Sequence, residues 1–323
     1  MKICAILKLT TKKEGEAVIY TCTMNTAIDL YVAMEALQPN AVNRTYDEDY
    51  QPNGKGVNVS VMLKKMGIPN TALGFIGGFT GQFIKEELEK LEIATDFIEV
   101  EGNTRINVFI NANEEYKIVN RGPIIHQQAV NQLLAKIKKI PAKSTFIVSG
   151  SLPRGVEDRI LVSIAKICNE NDVKLILDSS SPVVLETLAY EPYLLKPNEE
   201  ELAQLFGEKV SLSEKQMIAY GKELIQRGAR QVIISRGEAG ALYIDKQKVM
   251  KASSPKGKVV NTACAGDALL ASYIAQTISS ASIDEALVYA VATGASTAFS
   301  KGLSDLIDIP DLVKNVDIQH LRR

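Results

Sequence analysis

The apolar positions of this chain change period again and again. Short runs of β-branched residues predict strands, and stripes at three- and four-residue spacing predict helices. Residues 18–24 read as a first strand, followed by a polar, irregular stretch at 31–52 with a β-prone piece at 43–46. A turn at 53–58 opens a helix to about residue 66, where Gly67 and Pro69 stop it. A buried strand at 71–76, a loop at 77–81 and a helix with Ile84, Leu88 and Leu91 on one face come next. Residues 105–110 and 115–119 alternate and are half polar, which predicts a hairpin around 111–114. Regular alternation then resumes. Helical stripes (Val130, Leu133, Leu134 and Ile137; Ile160, Leu161, Ile164 and Cys168; 214–226) are interleaved with strands at 144–148, 173–177, 193–195 and 231–234. A hairpin at 241–244 and 248–252 follows, and the final elements read as helical, with Ser282 and Glu285 at capping-box spacing.

Repeated β-α units without a composition shift predict one α/β domain over 18–323, a mostly parallel sheet covered on both faces. Segments 31–52 and 103–121 break the alternation and predict a small β-sheet lid. In such sheets ligands bind beyond the carboxyl ends of the strands. Residues 1–17 carry only the short apolar run ICAIL, too short for a signal-peptide core, and read as an N-terminal extension.

Composition acts here by exclusion. The 323 residues are 46% hydrophobic, enough for a large core. With 37 basic and 38 acidic residues the net charge is -1, which points to no nucleic acid and no membrane as partner. The four cysteines lack CxxC spacing and read as reduced thiols of a cytoplasmic protein. Only two histidines are present, so no histidine triad or zinc site is expected. Neither a Walker P-loop nor a GxGxxG after a strand occurs.

The remaining chemistry gathers at strand ends. Ala263, Cys264, Ala265 and Gly266 are small and open a helix, so their N–H groups could meet an anion. Asp267, in the same turn, either complements the helix dipole or serves as a general base beside a phosphate cradle. Gly54, Lys55, Gly56 and Asn58 form either a plain entry to a helix or a close-approach polar pocket. Asn198 and Glu201 fit a capping box or a hard-oxygen Mg²⁺ site. Arg105 and Asn107 share a strand face, where the arginine is a solvated edge residue or a phosphate grip. Asp29 is a turn aspartate or an acceptor for sugar hydroxyls; Ser235, Gly237 and Gly240 are a strand turn or the edge of a nucleotide site.

In order and spacing these stretches resemble the ribokinase-like (PfkB) family of sugar kinases. Gly54-x-Gly56-x-Asn58-x-Ser60, with Gly67 and Gly77, is similar to the family's first signature. Asn261-Thr262-x-x-Ala265-Gly266-Asp267 is similar to its second, and Lys196-Pro197-Asn198-x-x-Glu201 stands between them. Val42-Asn43-Arg44, GFIGGFTGQFIK at 74–85, TRIN at 104–107 and GSLPRG at 150–155 resemble the branch that phosphorylates sugar phosphates. The resemblance implies an αβα sandwich with a β lid through which a homodimer forms. It implies ATP and Mg²⁺ as cofactors, with a monovalent cation such as K⁺ as a further one. The expected reaction is fructose 1-phosphate to fructose 1,6-bisphosphate; tagatose 6-phosphate or another phosphosugar is the alternative acceptor, and a weakly catalytic sensor the alternative of another class. It implies Asp267 as base, Cys264, Ala265 and Gly266 as the anion hole, and Asn198 and Glu201 serving Mg²⁺. Asp29, Arg44, Gly54, Lys55, Asn58, Arg105 and Asn107 would surround the sugar phosphate. Lys196, Ser235, Gly237, Gly240, Asn261 and Gly294 would border ATP. Thr26, Asn53 and Cys264 depart from the family's usual Pro, Gly and Gly.

Overall fold

The computed structural model describes residues 18–321, so the expected extension at 1–17 lies outside the described residues. The chain begins with β1 (Ile19–Thr23), β2 (Ala27–Ala33), β3 (Asp47–Asn53), α1 (Lys55–Lys65), β4 (Asn70–Ile76) and α2 (Gly78–Lys90). Next come β5 (Ala94–Thr95), β6 (Ile98–Glu99), β7 (Arg105–Asn111), β8 (Glu115–Ile118) and α3 (Gln127–Ile137). The middle of the chain is β9 (Thr145–Ser149), α4 (Ile160–Glu170), β10 (Lys174–Asp178), α5 (Val184–Thr187), β11 (Leu194–Leu195), α6 (Glu199–Leu205) and α7 (Glu214–Gln226). It ends with β12 (Gln231–Ser235), β13 (Ala241–Asp245), β14 (Val249–Ala252), α8 (Ala265–Ile278), α9 (Ile283–Ala298), α10 (Ile309–Leu312) and β15 (Ile318–His320).

The larger sheet runs β15-β14-β13-β12-β11-β10-β9-β1-β4-β5, with β6 also on β4. Pairing is parallel from β12 through β5 and antiparallel from β12 to β15. Alternation along each central strand splits its side chains between two cores. Phe146, Leu175 and Val232 join α3, α4 and α7 on one face; Ile147, Ile176 and Ile233 join α1, α8 and α9 on the other. Both faces are dry, which is why these strands read as unbroken apolar runs. Each fully buried Ile or Leu contributes about 1.5–3 kcal/mol.

The smaller sheet is the lid, ordered β3-β2-β7-β8. Ile28 and Ile106 pack with Val57, Val61, Ile84 and Leu88, which anchors the lid to α1 and α2. The ribokinase-like expectation of a mostly parallel sheet plus a small β sheet is met. Five local expectations are corrected. The lid starts at Ala27 rather than residue 31, so Asp29 belongs to a lid strand and not to a turn after a core strand. Residues 43–46 form no strand; they lie in the loop between β2 and β3, where Tyr46 N donates to Ala33 O just ahead of the β2–β3 pairing. Residues 78–81 are the first turn of α2, entered through Gly78 at φ 61, where a Cβ would strike the Asn103 side chain. Leu91 caps α2 and is 43% exposed, whereas Ile84 and Leu88 are buried. At the C-terminus β15 pairs with β14; a three-residue strand is too short to show a period.

Candidate active site

Helices α1 and α8 begin side by side at the carboxyl end of the sheet. Gly54 adopts φ 131, and a Cβ there would lie 2.4 Å from Thr23 Cγ2; at Gly56 it would lie 2.5 Å from Thr23 Oγ1. The paired glycines therefore let α1 start directly over the end of β1. The first residue before α8, Cys264, holds φ 63, a left-handed backbone that side-chain-bearing residues rarely adopt. No side chain caps α8; its first N–H, that of Ala265, donates to Thr262 O at 3.4 Å. Asn261 holds the preceding loop: its Oδ1 accepts from Ala263 N at 3.0 Å and its Nδ2 donates to Lys301 O at 3.1 Å. Gly294 of α9 supports α8 from behind, since a Cβ there would lie 3.2 Å from Ala265 O.

Asp267 sits in the first turn of α8 and is only 5% exposed. Asn58 of α1 donates through Nδ2 to Asp267 Oδ2 at 2.8 Å and to Cys264 Sγ at 3.2 Å. Burial first, and then the Asp178 charge, push the Asp267 carboxyl up to about 7, against Asn58, Lys55 and Lys196. A carboxylate poised near neutral pH at a helix start can take a proton while an anion is held nearby.

Beneath it lies a knot of charge. Asp178 ends β10 fully buried; its Oδ1 is 3.2 Å from Lys55 Nζ and 3.4 Å from Lys196 Nζ. Its Oδ2 has no partner. Lys55 also reaches Glu201 Oε1 at 3.1 Å. Burial alone would lower the Lys55 ammonium, but Asp178, Glu201 and Asp267 together hold it above the usual lysine range. Glu201 N donates to Asn198 Oδ1 at 2.7 Å, and Asn198 N to Glu201 Oε2 at 2.9 Å. The capping-box reading is thus realised, and Asn198 Oδ1 is used by it; Glu201 keeps its second oxygen for Lys55. Among the described residues no cluster of three or more Asp, Glu, Cys or His forms a metal site on its own. Asp178 is the residue that sequence reasoning missed. Its one signal was its place at a strand end, and full burial of its carboxylate is not visible in a linear pattern.

The lid supplies the opposite wall. Asp29 Oδ1 accepts from Asn107 Nδ2 at 2.8 Å across paired lid strands. Burial raises the Asp29 carboxyl, while Asn107, Arg105 and Tyr31 oppose that shift. Arg105 donates to the carbonyls of Asn25, Thr26 and Asn120 at 3.0, 3.4 and 3.2 Å, which fixes its guanidinium at the cleft edge. On the other side, Ser235 bridges to Asn198, and Gly237 and Gly240 close a tight turn after β12. A Cβ on Gly240 would lie 2.0 Å from Ala252 O, so the strand-turn reading holds there on steric grounds. Arg44 is exposed in the loop after β2 and bonds to none of these groups among the described residues. A cavity of about 1080 Å³ lies at the opposite ends of the strands beside Lys222, Arg230 and Lys248 and contains no residue of this cleft.

Three comparisons place this geometry. Residues 18–310 match the pfkB family of carbohydrate kinases. The chain is 56% identical to a D-tagatose-1-phosphate kinase of Bacillus licheniformis, over 94% of this chain and 100% of that protein. It is 35% identical to a 1-phosphofructokinase of Bacillus subtilis, over 94% and 100%. The structure of phosphofructokinase-2 from Escherichia coli in complex with fructose-6-phosphate superposes with a TM-score of 0.84 at 25% identity, covering 92% of this chain and 98% of that one. With its motifs, fold and relatives in agreement, the chain belongs to the pfkB family of carbohydrate kinases.

Proposed function

We propose that this sugar-phosphate kinase transfers the γ-phosphoryl group of ATP to the C6 hydroxyl of a ketose 1-phosphate, with tagatose 1-phosphate preferred. The observation that carries the reading is Asp267, buried, oriented by Asn58 and seated at the uncapped start of α8. Its carboxylate accepts the hydroxyl proton as the C6 oxygen bonds to phosphorus and the bond to the ADP oxygen breaks. The N–H groups of 264–266 receive charge on the transferring group. Lys196 and the Gly237–Gly240 turn border the nucleotide; Asp29 and Asn107 hold sugar hydroxyls, and Arg105 meets the 1-phosphate.

Magnesium fits the cleft: Asp178 keeps a buried oxygen without a partner, and Glu201 Oε1 shares the Lys55 ammonium with Asp178. These two would hold the ion, with ATP phosphates and water completing its shell. When bound, the ion neutralises charge on the phosphates. Asn198 acts by restraining Glu201.

The 56% relative favours tagatose 1-phosphate; fructose 1-phosphate is the second reading, favoured by the 35% relative and by the PKGKVV run at 255–260. Coupled ADP release with tagatose 1-phosphate, fructose 1-phosphate, tagatose 6-phosphate and fructose 6-phosphate tests this. The expected order of kcat/KM puts tagatose 1-phosphate first; turnover confined to 6-phosphates would refute the acceptor class. The outer lid face also presents an apolar row, Tyr50, Leu30, Val108 and Ile118, aligned by strand register. Tyr50 and Ile118 are half exposed on it, and a second copy covers this row. Light scattering on Leu30→Glu should report a monomer; an unchanged dimer would remove the lid from the interface.

A further inference from the structure

We infer that Asn53 and Cys264 together form the wall that reads the configuration at C4 of the acceptor sugar. The inference rests on the ketose 1-phosphate reading above. Its starting point is a continuous chain of polar contacts across the mouth of the cleft. Asn53 ends β3, and its Oδ1 accepts from Gly54 N at 2.5 Å and from Asn58 Nδ2 at 3.4 Å. Asn58 donates to Cys264 Sγ at 3.2 Å and to Asp267 Oδ2 at 2.8 Å. Asn58 thus links Asn53, Cys264 and Asp267, although these side chains come from β3, the start of α8 and its first turn.

Placement decides what this linked set can do. The shared Asn58 amide places the Cys264 thiol next to Asp267. Burial, then the charges of Asp267 and Asp29, push that thiol up to about 12, so it stands neutral. A sugar whose reacting hydroxyl sits at Asp267, with other hydroxyls at Asp29 and Asn107, must run past Asn53 and Cys264. Tagatose and fructose differ only at C4, two carbons from the C6 oxygen. The hydroxyl that distinguishes them therefore meets this wall and not the Arg105 end, where the 1-phosphate lies. A polar wall discriminates such a centre far better than an apolar one, because the wrong epimer leaves a hydrogen-bonding group unpaired. The left-handed backbone of Cys264 is consistent with a side chain kept for its contacts, since glycine alone suits that conformation freely. In this arrangement the tagatose C4 hydroxyl meets the Asn53 amide, and the fructose hydroxyl points away from it.

The test measures kcat/KM for tagatose 1-phosphate and fructose 1-phosphate in the full-length enzyme and in Asn53→Gly, Cys264→Gly and the double variant. The ratio of the two values should fall on the order of tenfold in Asn53→Gly, the factor expected for one lost hydrogen bond to a hydroxyl. Cys264→Gly should lower it less, and the double variant no further than Asn53→Gly, since both side chains meet the same Asn58 amide. Asn53→Ser, which keeps a short hydrogen-bonding side chain, should recover part of the selectivity, and KM for ATP should stay unchanged in both Asn53 variants. Equal losses for both epimers, with the ratio fixed in every variant, would overturn the inference while leaving the acceptor class standing. If the unsubstituted enzyme turns over neither ketose 1-phosphate, the acceptor class fails and this inference fails with it.

Discussion

Helices α6 and α8 both bring an N-terminus to the active cleft, and they end in opposite ways. Asn198 and Glu201 close α6 with a reciprocal pair of hydrogen bonds, and the same device closes α7 at Ser213 and Gln216 and α9 at Ser282 and Glu285. At α8 the cap is Cys264 in a left-handed backbone with no side-chain bond, and α1 likewise opens at Gly54 without one. A good N-cap is worth about 1 kcal/mol. The chain takes that stabilisation at α6, α7 and α9 and forgoes it at α8 and α1, whose first turns border Asp267, as it also does at α2, α3, α4, α5 and α10. An uncapped start is therefore no sign of an anion site by itself; α8 differs from the other uncapped helices in pairing its start with a buried carboxylate.

The comparison can be broken most severely at Asp267. Asp267→Asn should lower kcat by about 10²–10⁴-fold in the coupled ADP assay, the usual range for a general base. The same change should raise stability. A buried carboxyl whose folded pKa of about 7 exceeds its unfolded value adds stability at low pH that is lost as pH rises through about 7. Melting at about pH 8 should therefore be higher for Asp267→Asn than for the parent, by about 2–4 °C per kcal/mol, with little difference at about pH 4. A lower melting temperature at both pH values would contradict the buried, ionised carboxylate.

Asp178→Asn comes next. It leaves Lys55 and Lys196 without their shared anchor, and breaking a buried pair costs about 3–5 kcal/mol, read by urea denaturation. It also removes the second cause of the raised Asp267 pKa, so the rising limb of kcat/KM against pH, which reports the free enzyme, should move to lower pH. In the parent enzyme that limb should have its midpoint near 7, since only the ionised base accepts the proton. A limb that stays in place in Asp178→Asn would separate the two carboxylates functionally.

The smallest effects sharpen the contrast between caps. Asn198→Ala and Ser282→Ala should each cost about 1 kcal/mol in denaturant unfolding. Only Asn198→Ala should also raise KM for Mg²⁺, because only its partner Glu201 faces Lys55 and the cleft. Equal Mg²⁺ dependence in the two variants would reduce the α6 box to a stabilising cap.

Much of this was legible in the sequence, for identifiable reasons. The doubly covered sheet was readable because strands buried on both faces are unbroken apolar runs. The α1 and α8 entries were readable because close approach over Thr23 demands glycine at 54 and 56, and an open helix start demands small residues before Asp267. Where the signal was short or ambiguous the reading slipped: β15 is three residues long, Gly78 looked like loop but starts a helix, and Asp29 proved to be a lid residue.

The sequence by itself determined the order of the elements, the glycine-gated helix starts and the side chains able to do the chemistry. Spacing and residue type are local properties, and local sterics decide them. Only the tertiary structure decided that Asp178 is buried beneath Lys55 and Lys196, and that Asn53 and Cys264, 211 residues apart by number, meet the same Asn58 amide. Burial and contact across such separations depend on which strand lies beside which, and parallel crossovers place neighbours in space that are strangers in sequence.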